Sequence, residues 1–179
     1  MTLASLQHFG APPVDGPLNP LMSTQPTIGS QAPSFKNAPV VGGEYPPGAT
    51  VSLDDLKGRT VVLYFYPKDD TPGCTTQACA LRDGWADISS KAAVFGISVD
   101  PVKSHDKFIK KHALPFPLIS DEDHQLVNAY GVRVEKSLYG KKYMGTERST
   151  FVIGPDGKIK AVFPKIQPAQ HFEKMLAAV

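Results

Sequence analysis

The chain has 179 residues, which suits a single domain. Hydrophobic residues make up 41% and charged residues 20%, an ordinary globular composition. A formal net charge of +2 carries no polyanion-binding character, and no apolar run reaches the length of a membrane span, so neither nucleic acid nor a membrane is expected as a partner.

Residues 1–26 hold Pro12, Pro13, Pro17, Pro20 and Pro26, one acid (Asp15) and no lysine or arginine; the first is Lys36. That pattern is neither a secretory signal nor an Arg-rich presequence. We read 1–26 as a flexible Pro-rich N-terminal extension, with Met22 as an alternative first residue, and 27–179 as one folded domain. The missing signal points to a cytoplasmic protein.

Ser52 heads S-L-D-D-L, a capping signature for a short helical turn that ends at Gly58. Val61 to Tyr66 (V-V-L-Y-F-Y) is an unbroken apolar run of β-formers and predicts a central strand buried on both faces. A turn-rich loop, P-K-D-D-T-P-G-C, follows. Ala78, Leu81, Trp85 and Ile88 then recur at helical spacing and predict one helix from about Gly73 to Ser90. Ala93 to Val99 is the next strand. Asp100 reads as an N-cap with Pro101 at the first helical position of a helix to about His112. Phe116 to Ile119 is a short strand, and Asp121 opens a helix that stops at Gly131. Ser149 to Ile153 and Ile159 to Phe163 flank the turn G-P-D-G-K. Pro168 starts a last helix with Phe172, Met175 and Leu176 on one side. The alternation predicts an α/β fold, with a mixed central sheet and helices on both faces.

Two cysteines exclude a disulfide-stapled scaffold and fall short of a structural zinc site. In an open α/β sheet, ligands bind beyond the carboxyl ends of the strands. Only one such junction carries a nucleophile, where Cys74 enters a helix after Tyr66 and the loop from Pro67 to Gly73. First-turn N–H groups and the helix dipole favour a thiolate there, and the thiolate is the nucleophilic form. Thr71 can aim a hydroxyl at the same place, and Pro67 and Pro72 stiffen the loop.

Cys79 lies five residues on. Five helical residues rise about 7.5 Å and turn about 140° net, which separates the Cα atoms by about 8.6 Å. A disulfide spans less than about 7 Å. The two cysteines cannot pair while both are helical, and can pair if the first helical turns unwind. His8, His105, His112, His124 and His171 show no metal spacing and read as surface residues. No cofactor motif is present.

The segment P-K-D-D-T-P-G-C-T-T-Q-A-C, Pro67 to Cys79, resembles the active-site loop of the peroxiredoxins, and its C-x-x-x-x-C spacing resembles the peroxiredoxin Q, or bacterioferritin comigratory protein, subgroup. Leu81 to Asp83, Phe95 to Asp100, Phe116 to Asp121, Tyr139 to Gly145 and R-S-T-F-V-I from Arg148 to Ile153 extend the likeness over roughly residues 27–179. The resemblance implies a thioredoxin-like fold and a thiol peroxidase that needs no cofactor. It makes Cys74 the peroxidatic cysteine and Cys79 the resolving one. It gives Thr71 a hydrogen-bond relay around the peroxide, Pro67 the shielding of the sulfenic acid, and Arg148 the cation that holds the thiolate. The residues alone do not select Arg148 over Lys68 or Arg82. Implied partners are hydrogen peroxide, alkyl hydroperoxides and thioredoxin or a similar dithiol, acting on a monomer. Gln77 stands where the subgroup usually has Glu, and Arg133 where many relatives carry Trp. The rival reading is a thioredoxin-fold redox sensor or partner-binding switch that uses the same cysteine pair.

Overall fold

The computed structural model describes residues 24–179. Most of the expected N-terminal extension, residues 1–23, lies outside the described residues. Of the rest, Gln25 donates its amide to Glu147 at 3.0 Å.

Among the described residues, nine strands and five helices follow in chain order: β1 Ala38–Val41, β2 Thr50–Val51, β3 Val61–Phe65, α1 Pro72–Asp83, α2 Trp85–Ile88, β4 Ala93–Ser98, α3 Val102–His112, β5 Leu118–Ser120, α4 Gln125–Ala129, β6 Arg133–Leu138, β7 Lys141–Thr146, β8 Ser149–Ile153, β9 Ile159–Phe163 and α5 Pro168–Ala178. A 3-10 turn at Leu53–Leu56 carries the capping box expected from Ser52 and Asp55.

The main sheet runs β2-β1-β5-β4-β3-β8-β9. β3, β4 and β5 are parallel, whereas β8 is antiparallel to β3 and forms a hairpin with β9. This is the mixed sheet that the alternation predicts, with the thioredoxin-like form that the resemblance implies. β3 sits inside it, and all five of its residues are buried. Strand alternation divides them. Val61, Leu63 and Phe65 join one core with Phe95, Ile97 and Phe151. Val62 and Tyr64, followed by Tyr66, join a second core with Cys74, Leu81, Phe116 and Met175. The candidate nucleophile therefore packs against the second face of the central strand.

Four strands were not predicted. β1 contains Pro39, and β2 has only two residues. β6 and β7 pair with each other apart from the main sheet and are largely exposed, so they lack the apolar alternation that marks a half-buried strand.

Three predicted helix boundaries also move. The single helix expected to reach Ser90 breaks at Gly84, where ψ is 13°. A Cβ there would lie 2.0 Å from Cζ of Phe172, so the α5 ring fills the space beside a residue with low helix propensity. The expected stripe survives the break, with Ala78, Leu81 and Ile88 buried. Asp100 does not cap α3; Pro101 takes that position in extended geometry. The Asp100 carboxylate instead accepts from the Asp69 N–H at 2.9 Å and the Ser98 hydroxyl at 2.7 Å. Asp121 precedes α4 by four residues, but its carboxylate reaches forward to the N–H groups of Leu126 and Val127 at 2.9 and 2.8 Å.

Candidate active site

Cys74 is the third residue of α1, in the first turn after the loop that leaves β3. Its thiol is buried at 3% exposure, whereas Cys79, on the same helix, is partly exposed. Both are free thiols. One helix thus holds the pair at the spacing that geometry makes too long for a disulfide.

The loop before Cys74 is tied down at several points. Asp69 is buried and accepts from the Tyr66 hydroxyl at 2.6 Å, the Ser104 hydroxyl at 2.7 Å and Nδ1 of His105 at 2.8 Å. The other ring nitrogen of His105 lies 3.1 Å from the Ile119 carbonyl. Burial alone would raise Asp69, but the bond and charge of His105, with the Tyr66 and Ser104 bonds, hold its carboxyl below the usual range. Asp70, with φ at 55°, is bound by Lys111 at 2.6 Å and His112 at 2.9 Å. Those bonds, His112 first, also lower Asp70.

Arg148 immediately precedes β8 and reaches across to α1. Its Nη2 lies 3.4 Å from Sγ of Cys74, and its Nη1 donates to Oε1 of Gln77. The Ile166 N–H pins its carbonyl at 3.0 Å. Gly73 makes room for the guanidinium, since a Cβ there would be 3.3 Å from Nη2. Gln77 is fully buried, and its Nε2 has no partner among the described residues. Of the three cations between which the sequence does not choose, Arg148 faces the thiol. Arg82 is engaged by Asp83 and the His112 carbonyl, and Lys68 is exposed.

The other predicted residues lie nearby in different roles. The Thr71 hydroxyl donates to the Lys68 carbonyl at 3.0 Å, not to Cys74, and the Thr71 carbonyl accepts the Thr75 N–H at 2.8 Å. Pro67 lines a cavity of about 310 Å³ beside the loop.

Two histidines correct the surface reading. His105 and His171 are both fully buried. His171 sits with its ring centroid 5.1 Å from that of Tyr64, and Nε2 lies 2.9 Å from the Thr150 hydroxyl oxygen. Burial, followed by the charge of Arg148, pushes its pKa down to about 3, so it is neutral at ordinary pH. Burial likewise drives the Tyr64 phenol well above its usual value. Asp69, Ser104 and His105 were missed from sequence, and Gln77 was noted only as a departure from the subgroup pattern. His105 carried one signal, its place three residues before Phe108 on the buried face of α3.

A thiol at a helix N-terminus, next to a guanidinium and shielded from bulk water, is a site for nucleophilic sulfur chemistry. The AhpC/TSA family model matches residues 28–162. The chain belongs to the AhpC/TSA family. Within it the chain groups with the peroxiredoxin Q/BCP subfamily. It is 49% identical over 150 residues to a putative peroxiredoxin bcp of Coxiella burnetii, covering 83% of this chain and 95% of that protein. It is 43% identical over 150 residues to peroxiredoxin Bcp of Bacillus subtilis, covering 83% and 92%. The fold is similar to a cysteine variant of Xylella fastidiosa PrxQ, with a TM-score of 0.78, 34% identity and coverage of 87% and 96%. It is also similar to the bacterioferritin comigratory protein of Xanthomonas campestris, with a TM-score of 0.74, 38% identity and coverage of 80% and 87%. Like its family, the chain is a thiol-dependent peroxidase that uses a cysteine pair.

Proposed function

We propose that Cys74 is the peroxidatic cysteine and Cys79 the resolving one, with hydrogen peroxide and alkyl hydroperoxides as substrates. The observation that carries this reading is the 3.4 Å approach of Arg148 Nη2 to Cys74 Sγ in the first turn of α1. The Cys74 thiolate attacks one peroxide oxygen. An S–O bond forms, the O–O bond breaks, and the leaving oxygen takes a proton to depart as water or alcohol. Arg148 stabilises the thiolate and then the charge on the leaving oxygen. The Cys79 thiolate next attacks the sulfenic sulfur. An S–S bond forms, and the displaced hydroxide leaves as water after protonation. A thioredoxin-type dithiol returns the pair to thiols by exchange and is itself oxidised.

Thr71 is assigned to shaping the loop through Lys68 and, on peroxide entry, to a hydrogen bond with the substrate. Pro67 is assigned to limiting water at the sulfenic acid. We place the enzyme in the cytoplasm, where a catalytic disulfide is transient, and read it as a monomer. Among the described residues no helix is long and apolar enough to cross a membrane.

Peroxide consumption with thioredoxin, its reductase and NADPH tests the reading, with light scattering for the oligomeric state. Sustained turnover at catalytic enzyme is expected. One equivalent of oxidation without turnover would instead establish a redox switch built on the same cysteines.

A further inference from the structure

The active-site loop borders a cavity of about 310 Å³ that hydrogen peroxide, with two heavy atoms, does not need. Pro67 and Lys68 of the loop form one wall; Arg133, Lys136, Tyr143 and Met144 of the β6–β7 hairpin form another. Lys68, Arg133 and Lys136 are cations, and among the described residues none of them is in an ion pair. Glu135, the acid of the hairpin, is bound to Lys142 at 3.2 Å and lines a different opening. Tyr143 and Met144, 48% and 47% exposed, supply apolar surface.

Lys136 links the cavity to the neighbouring opening that Arg148 lines. This side chain is half-buried and gives one hydrogen bond to the Thr146 carbonyl at 2.5 Å, which leaves two donors on its ammonium. Its stem lies close over Gly145, where a Cβ would come within 3.0 Å of Lys136 Cδ. Lys136 also lines the neighbouring opening with Arg148. Burial, followed by the charge of Arg148, lowers the Lys136 ammonium, while the charges of Glu147 and then Cys74 act the other way.

Three unpaired cations around one small space repel each other and attract an anion. The planar fork of Arg133 matches a carboxylate. We propose that this cavity binds the carboxylate end of a short organic hydroperoxide while its O–O group reaches Cys74, with Arg133 as a specificity-determining residue. The cavity lies at the small end of ligand sites, which suits a chain of a few carbons rather than a long acyl tail. The proposal rests on the peroxidase reading above.

The test compares kcat/KM for 4-hydroperoxy-4-methylpentanoic acid and its methyl ester, which share one O–O group and differ in charge. Hydrogen peroxide is measured in parallel. The acid is expected to exceed the ester by at least about tenfold. Arg133→Gln should bring the ratio toward unity, and Arg133→Glu should favour the ester. Lys160→Gln, on the exposed part of β9, should leave the ratio unchanged. A ratio near unity in the native chain, or one that survives both Arg133 changes, overturns the proposal while hydrogen peroxide turnover upholds the peroxidase reading. Absence of turnover with all three peroxides overturns both.

Discussion

Removing the guanidinium from Cys74 should slow its chemistry by an amount that the geometry bounds. Two unit charges 3.4 Å apart interact by about 5 kcal/mol at an effective dielectric of 20. Arg148 is partly exposed, so solvent reduces that figure. A hydrogen bond to a charged group is worth about 1.5–3 kcal/mol by mutation. At about 1.36 kcal/mol per tenfold, this converts to roughly 10- to 150-fold in the rate at Cys74. Arg148→Ala should lose that whole factor. Arg148→Lys keeps the charge, but one ammonium cannot reproduce the planar fork that meets both Cys74 Sγ and Gln77 Oε1. It should lose at least about tenfold. The assay is the rate of iodoacetamide alkylation at pH 7 in a Cys79→Ser background, where Cys74 is the sole thiol. Equal rates in Arg148→Ala and its parent would show that the 3.4 Å contact does not stabilise the thiolate.

Cys74→Ser should abolish turnover, because a hydroxyl supplies almost no anion at neutral pH; Cys79→Ser should complete one oxidation and stall, with mass spectrometry showing oxygen added at Cys74. Disulfide formation should unwind the start of α1, where Thr75 and Thr76 are weak helix formers, and amide exchange across residues 75–81 should accelerate; equal protection in the thiol and disulfide forms would refute the geometric argument. Gly84→Ala should destabilise the fold by about 1–3 kcal/mol, since the new Cβ falls on the Phe172 ring; thermal unfolding checks this, and Phe172→Leu should recover part of the loss. Asp121 is raised to about 6 by burial against its two backbone bonds, while an unfolded Asp titrates near 3.9. The folded state therefore binds the proton more tightly, and this contribution is fully present below about pH 3.9 and lost as pH rises through about 6. Denaturant unfolding of native protein and Asp121→Asn should show the native chain losing about 2–3 kcal/mol relative to the variant between pH 4 and 7, and parallel pH profiles would contradict it.

What the sequence determined by itself is what neighbours along the chain decide. The apolar run from Val61 had to be a buried central strand, because it offers no polar face to solvent. The Pro/Gly-rich loop after it had to place Cys74 at a helix start, and G-P-D-G-K had to close the β8–β9 hairpin. The C-x-x-x-x-C spacing on a helix already implied two separated thiols. Tertiary structure decided the rest, because it concerns groups that meet only after the chain has folded back. Arg148 lies 74 residues from Cys74, and only the antiparallel pairing of β8 with β3 brings it to α1, where Gln77 receives its second donor. Asp69 reads as an ordinary loop acid until α3 buries it against His105. His171 reads as a surface residue until α5 turns it onto Tyr64. The helix stripe continues unbroken past Gly84 in sequence, and only the fold brings the ring of Phe172, 88 residues on, into the space beside that glycine. Local periodicity records which face a segment buries; it does not record which distant side chain will share that space.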